Sequence, residues 1–249
     1  MKLKKTDKRV IKQTSLLSLV RILFIALWTI IISLIGDYFF NRKSKAEASQ
    51  IYQKLGRYWA VPILAVCNVQ LEIKGIENVK NKRGMILTPN HMSHFDTLIM
   101  LAVLRDIPFR FVYKKELLSV PIFGKVLGKS ESIAIDRENT KLSTIRTIMR
   151  RLKSGLNLVM FPEGTSGYED IILPFKDGPF IIASQLGIEI VPVVIRGSRR
   201  VYGKSYPRLI SAGKVSVEIF SGIRVERDKI KGTAKETHDF VEAKYWEVV

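Results

Sequence analysis

Met85-Ile86-Leu87-Thr88-Pro89-Asn90-His91-Met92-Ser93-His94-Phe95-Asp96-Thr97 is the stretch that decides the architecture. Its first five residues form a short, mainly apolar run ended by proline, the signature of a buried strand. From Thr97 to Leu104 the chain reads as a helix. Between them lies a polar heptapeptide that holds two of the three histidines of the sequence, the third being His238. A strand, a polar turn and a helix in that order form one α/β step. In such folds, ligands sit at the carboxyl ends of the strands.

The same alternation extends outward. Phe109–Val112, Ser132–Ile135, Leu156–Phe161, Ile190–Ile195 and Val215–Phe220 read as further strands. Thr140–Lys153, Pro179–Leu186 and Thr233–Trp246 read as helices between or after them. Strands alternating with helices predict an α/β fold with a mostly parallel sheet flanked by helices. No repeat and no low-complexity linker interrupts it.

Upstream of about Leu71 the texture differs. Residues 1–12 carry Lys2, Lys4, Lys5, Lys8, Arg9 and Lys12 against one acid, Asp7. An apolar run from Leu16 to Gly36 follows, broken by Arg21, which could snorkel toward headgroups. Arg42, Lys43 and Lys45 make the second flank basic too, so charge does not assign the two ends to opposite sides. A second apolar stretch, Tyr58–Val69, is too short to span and contains Pro62. This pattern predicts apolar helices lying in one leaflet, with Lys and Arg at the headgroups, in preference to a true span. A cleavable signal peptide fits poorly, because three basic residues separate the apolar run from Ala46-Glu47-Ala48. The expected organisation is a membrane-anchoring helical module over 1–69 and an α/β domain over 70–249.

Composition agrees. The 249 residues hold 41 Lys and Arg against 23 Asp and Glu, a formal charge of +18. Such a surface draws anions: nucleic acid, anionic lipid or phosphorylated substrates. The single cysteine, Cys67, excludes an internal disulfide and a cysteine-based zinc cluster, and its apolar surroundings predict a buried, inert thiol.

Three short constellations carry chemistry. His91 and Asp96, five residues apart across a turn, can meet side chain to side chain. The carboxylate would take the Nδ1 proton and leave Nε2 as a general base. Asp96 also stands where a helix N-cap belongs, which is its plain structural reading. Phe161-Pro162-Glu163-Gly164-Thr165, at the end of a strand, offers backbone N–H groups and a hydroxyl that could cradle phosphate or a polarised oxygen, or form a simple tight turn. Ile135-Asp136-Arg137 ends another strand; its arginine could fork onto phosphate or pair with Asp136.

In this order the constellations resemble the PlsC-type 1-acyl-sn-glycerol-3-phosphate acyltransferases. That family's N-H-x-S-x-x-D is matched by Asn90, His91, Ser93 and Asp96, and its K-x-E-L…P-x-x-G by Lys114, Glu116, Leu117, Pro121 and Gly124. Ile135-Asp136-Arg137, Phe161 to Thr165, Leu173 to Lys176 with Gly178, and Val191 to Val193 complete the series over roughly residues 85–195. Several short motifs in the right order are far more specific than any one alone. Two positions depart: Ser166 follows the F-P-E-G-T motif where arginine is usual, and Glu131 replaces a glycine five residues before Asp136. A carboxylate at 131 could alter how the acceptor reaches the site, or simply face solvent.

The resemblance implies a specific chemistry. His91 takes a proton from the sn-2 hydroxyl of lysophosphatidic acid, Asp96 orients it, and the oxygen attacks an acyl thioester of coenzyme A or acyl carrier protein. No acyl-enzyme forms, and no cofactor or metal is called for. Substrate contacts are expected from Asn90, Ser93, Lys114, Arg137, Glu163, Gly164 and Thr165, with Lys114 and Arg137 on the acceptor phosphate. The protein would sit on the cytoplasmic face of the cell membrane, bound to anionic lipids and not to nucleic acid. Ser166 keeps another lysolipid, such as a lyso-ornithine lipid, open as the acceptor. A hydrolase passing the acyl group to water and a basic nucleic-acid-binding protein are the readings from other classes. His94 at a helix start needs no role, and His238 is expected on the solvated surface.

Overall fold

The computed structural model describes residues 5–42, 45–121, 123–167, 171–202 and 210–247; Lys2, Lys4 and Lys43 lie outside them. Two helices open the chain, α1 (Lys5–Phe40) and α2 (Lys45–Val66). The α/β part follows: β1 (Val69–Lys74), β2 (Ile86–Pro89), α3 (Phe95–Val103), β3 (Phe109–Lys114), α4 (Phe123–Lys129), β4 (Ile133–Ile135), α5 (Leu142–Lys153) and β5 (Asn157–Val159). It ends with α6 (Gly178–Leu186), β6 (Glu189–Arg196), α7 (Ser198–Val201), β7 (Gly213–Ile219), β8 (Ile223–Arg224) and α8 (Ile230–Trp246).

The strands form one sheet in the order β1-β7-β6-β2-β5-β3-β4, with β8 also paired to β6. All neighbours are parallel except β7 and β8, which run antiparallel to β6. The parallel sheet predicted from the alternation is therefore present, and its central strands β2 and β5 are buried along their whole length. Because β2, β3, β4, β5 and β6 share a direction, Pro89, Lys114, Ile135, Val159 and Arg196 all end at one edge. The motifs around His91, Lys114, Arg137 and Glu163 lie at or just beyond that edge, whereas Val191 to Val193 lies within β6. Four elements gave no sequence signal strong enough to be predicted: the short α4, α7 and β8, and β1 with its outward-facing Glu72 and Lys74.

α1 is built inside out. Ser18, Arg21 and Ser33 are buried against the protein, whereas Leu16, Leu19, Leu23, Leu27, Ile31 and Leu34 are exposed. Leu16–Phe40 is long and apolar enough to cross a membrane by length and composition. However, both halves of this helix are fastened to the same globular body. Arg21 does not snorkel, as expected from the sequence, but turns inward. Its Nε donates to the Val66 carbonyl at 3.3 Å and its Nη1 to the Ile210 carbonyl at 2.7 Å. About 24 Å further along the helix, Asp37 accepts from Lys125 at 3.0 Å and Lys129 at 2.7 Å.

The second apolar stretch also departs from expectation. It is the end of α2, and Ala60, Ile63, Leu64 and Cys67 are buried in the same core as Leu87, Val159 and Val193 rather than facing a leaflet. Burial pushes the Cys67 thiol up to about 11, as fits an inert thiol. Pro62 lies inside this helix and has no N–H for the Tyr58 carbonyl. The indole of Trp28 on α1 donates to that carbonyl instead, at 3.0 Å. The proline's missing hydrogen bond thus becomes a tie between the two helices.

Candidate active site

The turn after β2 is organised around one carboxylate oxygen. Asp96 Oδ2 accepts the backbone N–H groups of Met92 and Ser93, both at 2.8 Å, and lies 3.0 Å from His91 Nδ1. Asp96 is fully buried; Oδ2 takes all three of these contacts, while Oδ1 is buried without a hydrogen-bond partner. The carboxylate only accepts, so the proton between the two side chains sits on Nδ1 and Nε2 is left as the basic nitrogen. On its flat side the imidazole stacks on Phe161, with ring centroids 4.1 Å apart, and Phe161 stacks in turn on Phe111. His91 is thereby fixed in tautomer, tilt and position.

Glu163 ties the second motif to the first. Its side chain is 3% exposed and accepts the His91 N–H at 2.5 Å through Oε1 and the Leu173 N–H at 3.0 Å through Oε2. Burial pushes this carboxyl up to about 7, against the opposing pull of the Leu173 and His91 N–H groups. Gly164 has φ +76°, and a Cβ there would stand 2.9 Å from the Lys176 side chain, so the turn needs glycine. The His91 carbonyl accepts Gly167 N–H at 2.9 Å, which closes the two loops on each other.

A cavity of about 470 Å³ opens in front of His91. Its lining includes His91, His94, Lys114, Arg137, Thr165 and Ser166, together with largely apolar side chains of α1, α2, α3, β3 and α4. Glu116 approaches Lys114 at 3.4 Å. Burial lowers the pKa of Arg137 while the Glu116 charge opposes that shift. Asp136 does not pair with Arg137; it accepts Glu138 and Asn139 N–H groups and frees the arginine to turn inward. Gly124 lets α4 close over this wall, since a Cβ there would fall 2.2 Å from the Leu118 carbonyl oxygen.

Of the residues expected at the substrate, His91, Lys114, Arg137 and Thr165 line the cavity. Asn90 is buried and trades two hydrogen bonds with Ile195, extending the β2–β6 pairing. Ser93 donates to the Tyr202 carbonyl and accepts the Phe95 N–H at the start of α3. Asn90, Ser93 and Glu163 thus hold backbone, and Gly164 shapes its turn. Ser166 is buried in the wall where an arginine was anticipated. Glu131 neither faces solvent nor borders the cavity: it pairs with Arg110 at 3.4 Å and Arg151 at 3.0 Å. His238 is not solvated either; its Nε2 lies 3.2 Å from the Ile172 carbonyl oxygen. Among the described residues no group of three His, Cys, Asp or Glu side chains could hold a metal ion. A groove shaped by the N-terminal apolar module was legible in the sequence, but not its residues, such as Ile32, Gly56 and Trp59, because helix periodicity does not say which apolar residues leave a gap.

This buried His–Asp pair at the carboxyl edge of a parallel sheet defines a class, and residues 70–196 match the acyltransferase family model: the chain belongs to the acyltransferase family. Within it, the chain is similar to the PlsC-type 1-acyl-sn-glycerol-3-phosphate acyltransferases, and it is an enzyme of acyl transfer. It is 29% identical to the 1-acyl-sn-glycerol-3-phosphate acyltransferase of Haemophilus influenzae over 241 residues, 94% of this chain and 97% of that protein. The alpha form from Mus musculus is 29% identical over 163 residues, 64% of this chain and 56% of the mouse protein. In fold, the chain resembles the crystal structure of PlsC from Thermotoga maritima with a TM-score of 0.77 at 18% identity, covering 95% of this chain and 98% of that one.

Proposed function

We propose that the enzyme transfers an acyl chain from an acyl thioester, of coenzyme A or acyl carrier protein, to the sn-2 hydroxyl of lysophosphatidic acid, giving phosphatidic acid. The observation that carries this reading is the placement of the His91 ring. It is braced by Asp96 and Phe161 and lines a cavity that holds two cations, Lys114 and Arg137, and is walled largely by apolar side chains of the helices. A phosphate and an acyl chain need that division of chemistry. The names of the relatives from Haemophilus influenzae and Mus musculus point to the same acceptor.

His91 Nε2 takes the hydroxyl proton as the oxygen attacks the thioester carbon. The tetrahedral intermediate collapses, the C–S bond breaks, and the imidazolium returns the proton to the sulfur. Asp96 stays ionised throughout and stabilises the charged ring. Lys114 and Arg137 take the acceptor phosphate, with Thr165 beside them. Asn90, Ser93, Glu163 and Gly164 act on substrate through the backbone they hold. The apolar walls take the acyl chain, so trimming a wall residue such as Trp59 to alanine should shift the preferred chain length.

Residues 1–69 serve as the membrane anchor and 70–249 as the catalytic part. The exposed leucine face of α1 enters one leaflet of the cytoplasmic membrane from its inner side, where the donors are made. Fastening at Arg21 and Asp37 supports a monotopic attachment, because a helix held at both places on one body lies along it. The +18 charge favours anionic lipid.

The test is a two-substrate assay on detergent-purified protein, following thiol and phosphatidic acid from lysophosphatidic acid and an acyl thioester. Equal yields of the two products, both abolished by His91→Ala, are expected. Thiol without phosphatidic acid would point to a hydrolase or another acceptor, such as a lyso-ornithine lipid. Full activity without His91 would refute its role as the base.

A further inference from the structure

His238 lies on α8, beyond the residues shared with the family model. Its side chain is 14% exposed, and the ring meets Phe175 edge-on at 5.4 Å. Nε2 faces the Ile172 carbonyl oxygen at 3.2 Å and Nδ1 faces Asp239 Oδ1 at 3.0 Å. A carbonyl and a carboxylate both only accept, so the ring bonds to both at once as an imidazolium, with hydrogen on each nitrogen. Burial opposes that charge, but the bonds to Asp239 and Ile172 and the field of Glu242 outweigh it and raise the pKa. The charged groups around the ring are Asp239 and Glu242 on its own helix and Glu163 across the segment that follows Ile172.

The Ile172 carbonyl and the Leu173 N–H belong to one peptide unit. That N–H donates to Glu163 Oε2, and the other oxygen of Glu163 accepts the N–H of His91. A peptide whose carbonyl takes a hydrogen bond from a cation is polarised, and its N–H becomes a stronger donor. Helix α8 does not need this ring for docking, since Ala234, Thr237 and Val241 are its buried residues.

We propose that His238 is a positioning residue for acyl transfer: through the single peptide unit joining Ile172 to Leu173, it holds the Glu163 carboxylate against the backbone of His91. The inference rests on His91 being the base. Loss of the His238 donor loosens Glu163, lets the His91 backbone drift, and takes Nε2 out of line with the acceptor hydroxyl.

The experiment compares full-length wild type, His238→Phe, His238→Gln and His91→Ala in the same detergent, with kcat, KM and thermal unfolding measured for each. Phenylalanine keeps the contact with Phe175 but has no donor; glutamine keeps a donor. The expected result for His238→Phe is a fall in kcat of about tenfold with KM within about twofold, and His238→Gln recovers most of the loss. A folded His238→Phe with wild-type kcat overturns the inference, as does an equal fall in both His238 variants. If His238→Phe does not fold, Asp239→Asn carries the test, because it removes the carboxylate that keeps the ring charged: a fall of about threefold supports the inference and an unchanged kcat overturns it. Activity retained in His91→Ala would instead strike the underlying reading, whatever the His238 variants do.

Discussion

Arg21 donates to the carbonyl of Ile210, 189 residues further along the chain, and to the carbonyl of Val66 at the end of α2. A cation at a helix C-terminus meets the negative end of its dipole, so the same guanidinium caps α2 and pins α1. Ser18 adds a second tie by accepting the Ile210 N–H at 2.7 Å.

Replacing Arg21 with leucine would make α1 more apolar yet dock it less firmly. Losing two charge-assisted hydrogen bonds should cost about 3 kcal/mol of docking free energy. Hydrogen exchange in detergent micelles should then be faster at Ile210 and along α1, with α5 and α6 unaffected. Unchanged exchange at Ile210 would mean that the arginine is not what holds the helix.

Asp96→Asn should leave the fold intact and remove the anion that fixes the tautomer of His91. By analogy with other histidine bases deprived of their carboxylate, kcat should fall about 10⁴-fold. KM for both substrates should stay within about threefold. A loss confined to KM would make Asp96 a binding residue rather than an orienter.

Glu163 makes stability depend on pH. Its folded pKa, about 7, lies above the ordinary carboxyl value of 4.5. The folded state therefore holds the proton more tightly than the unfolded state. The resulting stabilisation is complete below about pH 4.5 and is lost as pH rises through about 7. The span is on the order of 3 kcal/mol. Denaturant titrations of wild type and Glu163→Gln from pH 5 to pH 8 should differ by a slope of that sign, and parallel curves would contradict it.

Glu131 occupies the left-handed region at φ +63°, which explains why glycine suits this position in the family's pattern. Its ion pairs offset that strain: Arg110 is 1% exposed and stacks 4.4 Å over the Tyr52 ring. Glu131→Gly would relieve the strain but leave Arg110 short of a carboxylate, for a net loss of about 2 kcal/mol. Glu131→Ala keeps the strain as well and should lose about 1 kcal/mol more. Chemical denaturation should rank them wild type, glycine, alanine; alanine at or above glycine would refute the strain argument.

Most of the order of strands and helices was readable because the strands from β2 to β7 are short, mainly apolar runs, most of them closed by proline, glycine or a polar motif; β1, with its charged Glu72 and Lys74, gave no such signal. Those motifs fall at strand ends, and parallel connection brings strand ends to one edge whatever the details of packing. The pairing of His91 with Asp96 was equally legible, since five residues around a helix start leave few geometries. Cys67 read correctly as a buried thiol for the same local reason, an apolar neighbourhood.

What the sequence by itself determined, then, is whatever depends on neighbours along the chain: the α/β alternation, the site at the strand ends, the histidine and its carboxylate. Tertiary structure alone decided which side chain faces what. Arg21 looked like a snorkelling residue and is a buried clasp. Tyr58–Val69 looked like membrane surface, and one face of it, Ala60, Ile63, Leu64 and Cys67, is core. Glu163 could have held the acceptor glycerol or its own loop, and it accepts from the backbone of two loops, while Glu131 found two arginines and His238 a carbonyl. The reason is physical. A charged or apolar side chain has a preference for surroundings but no address, and its partner in each of these cases lies in an element that folding alone brings within reach.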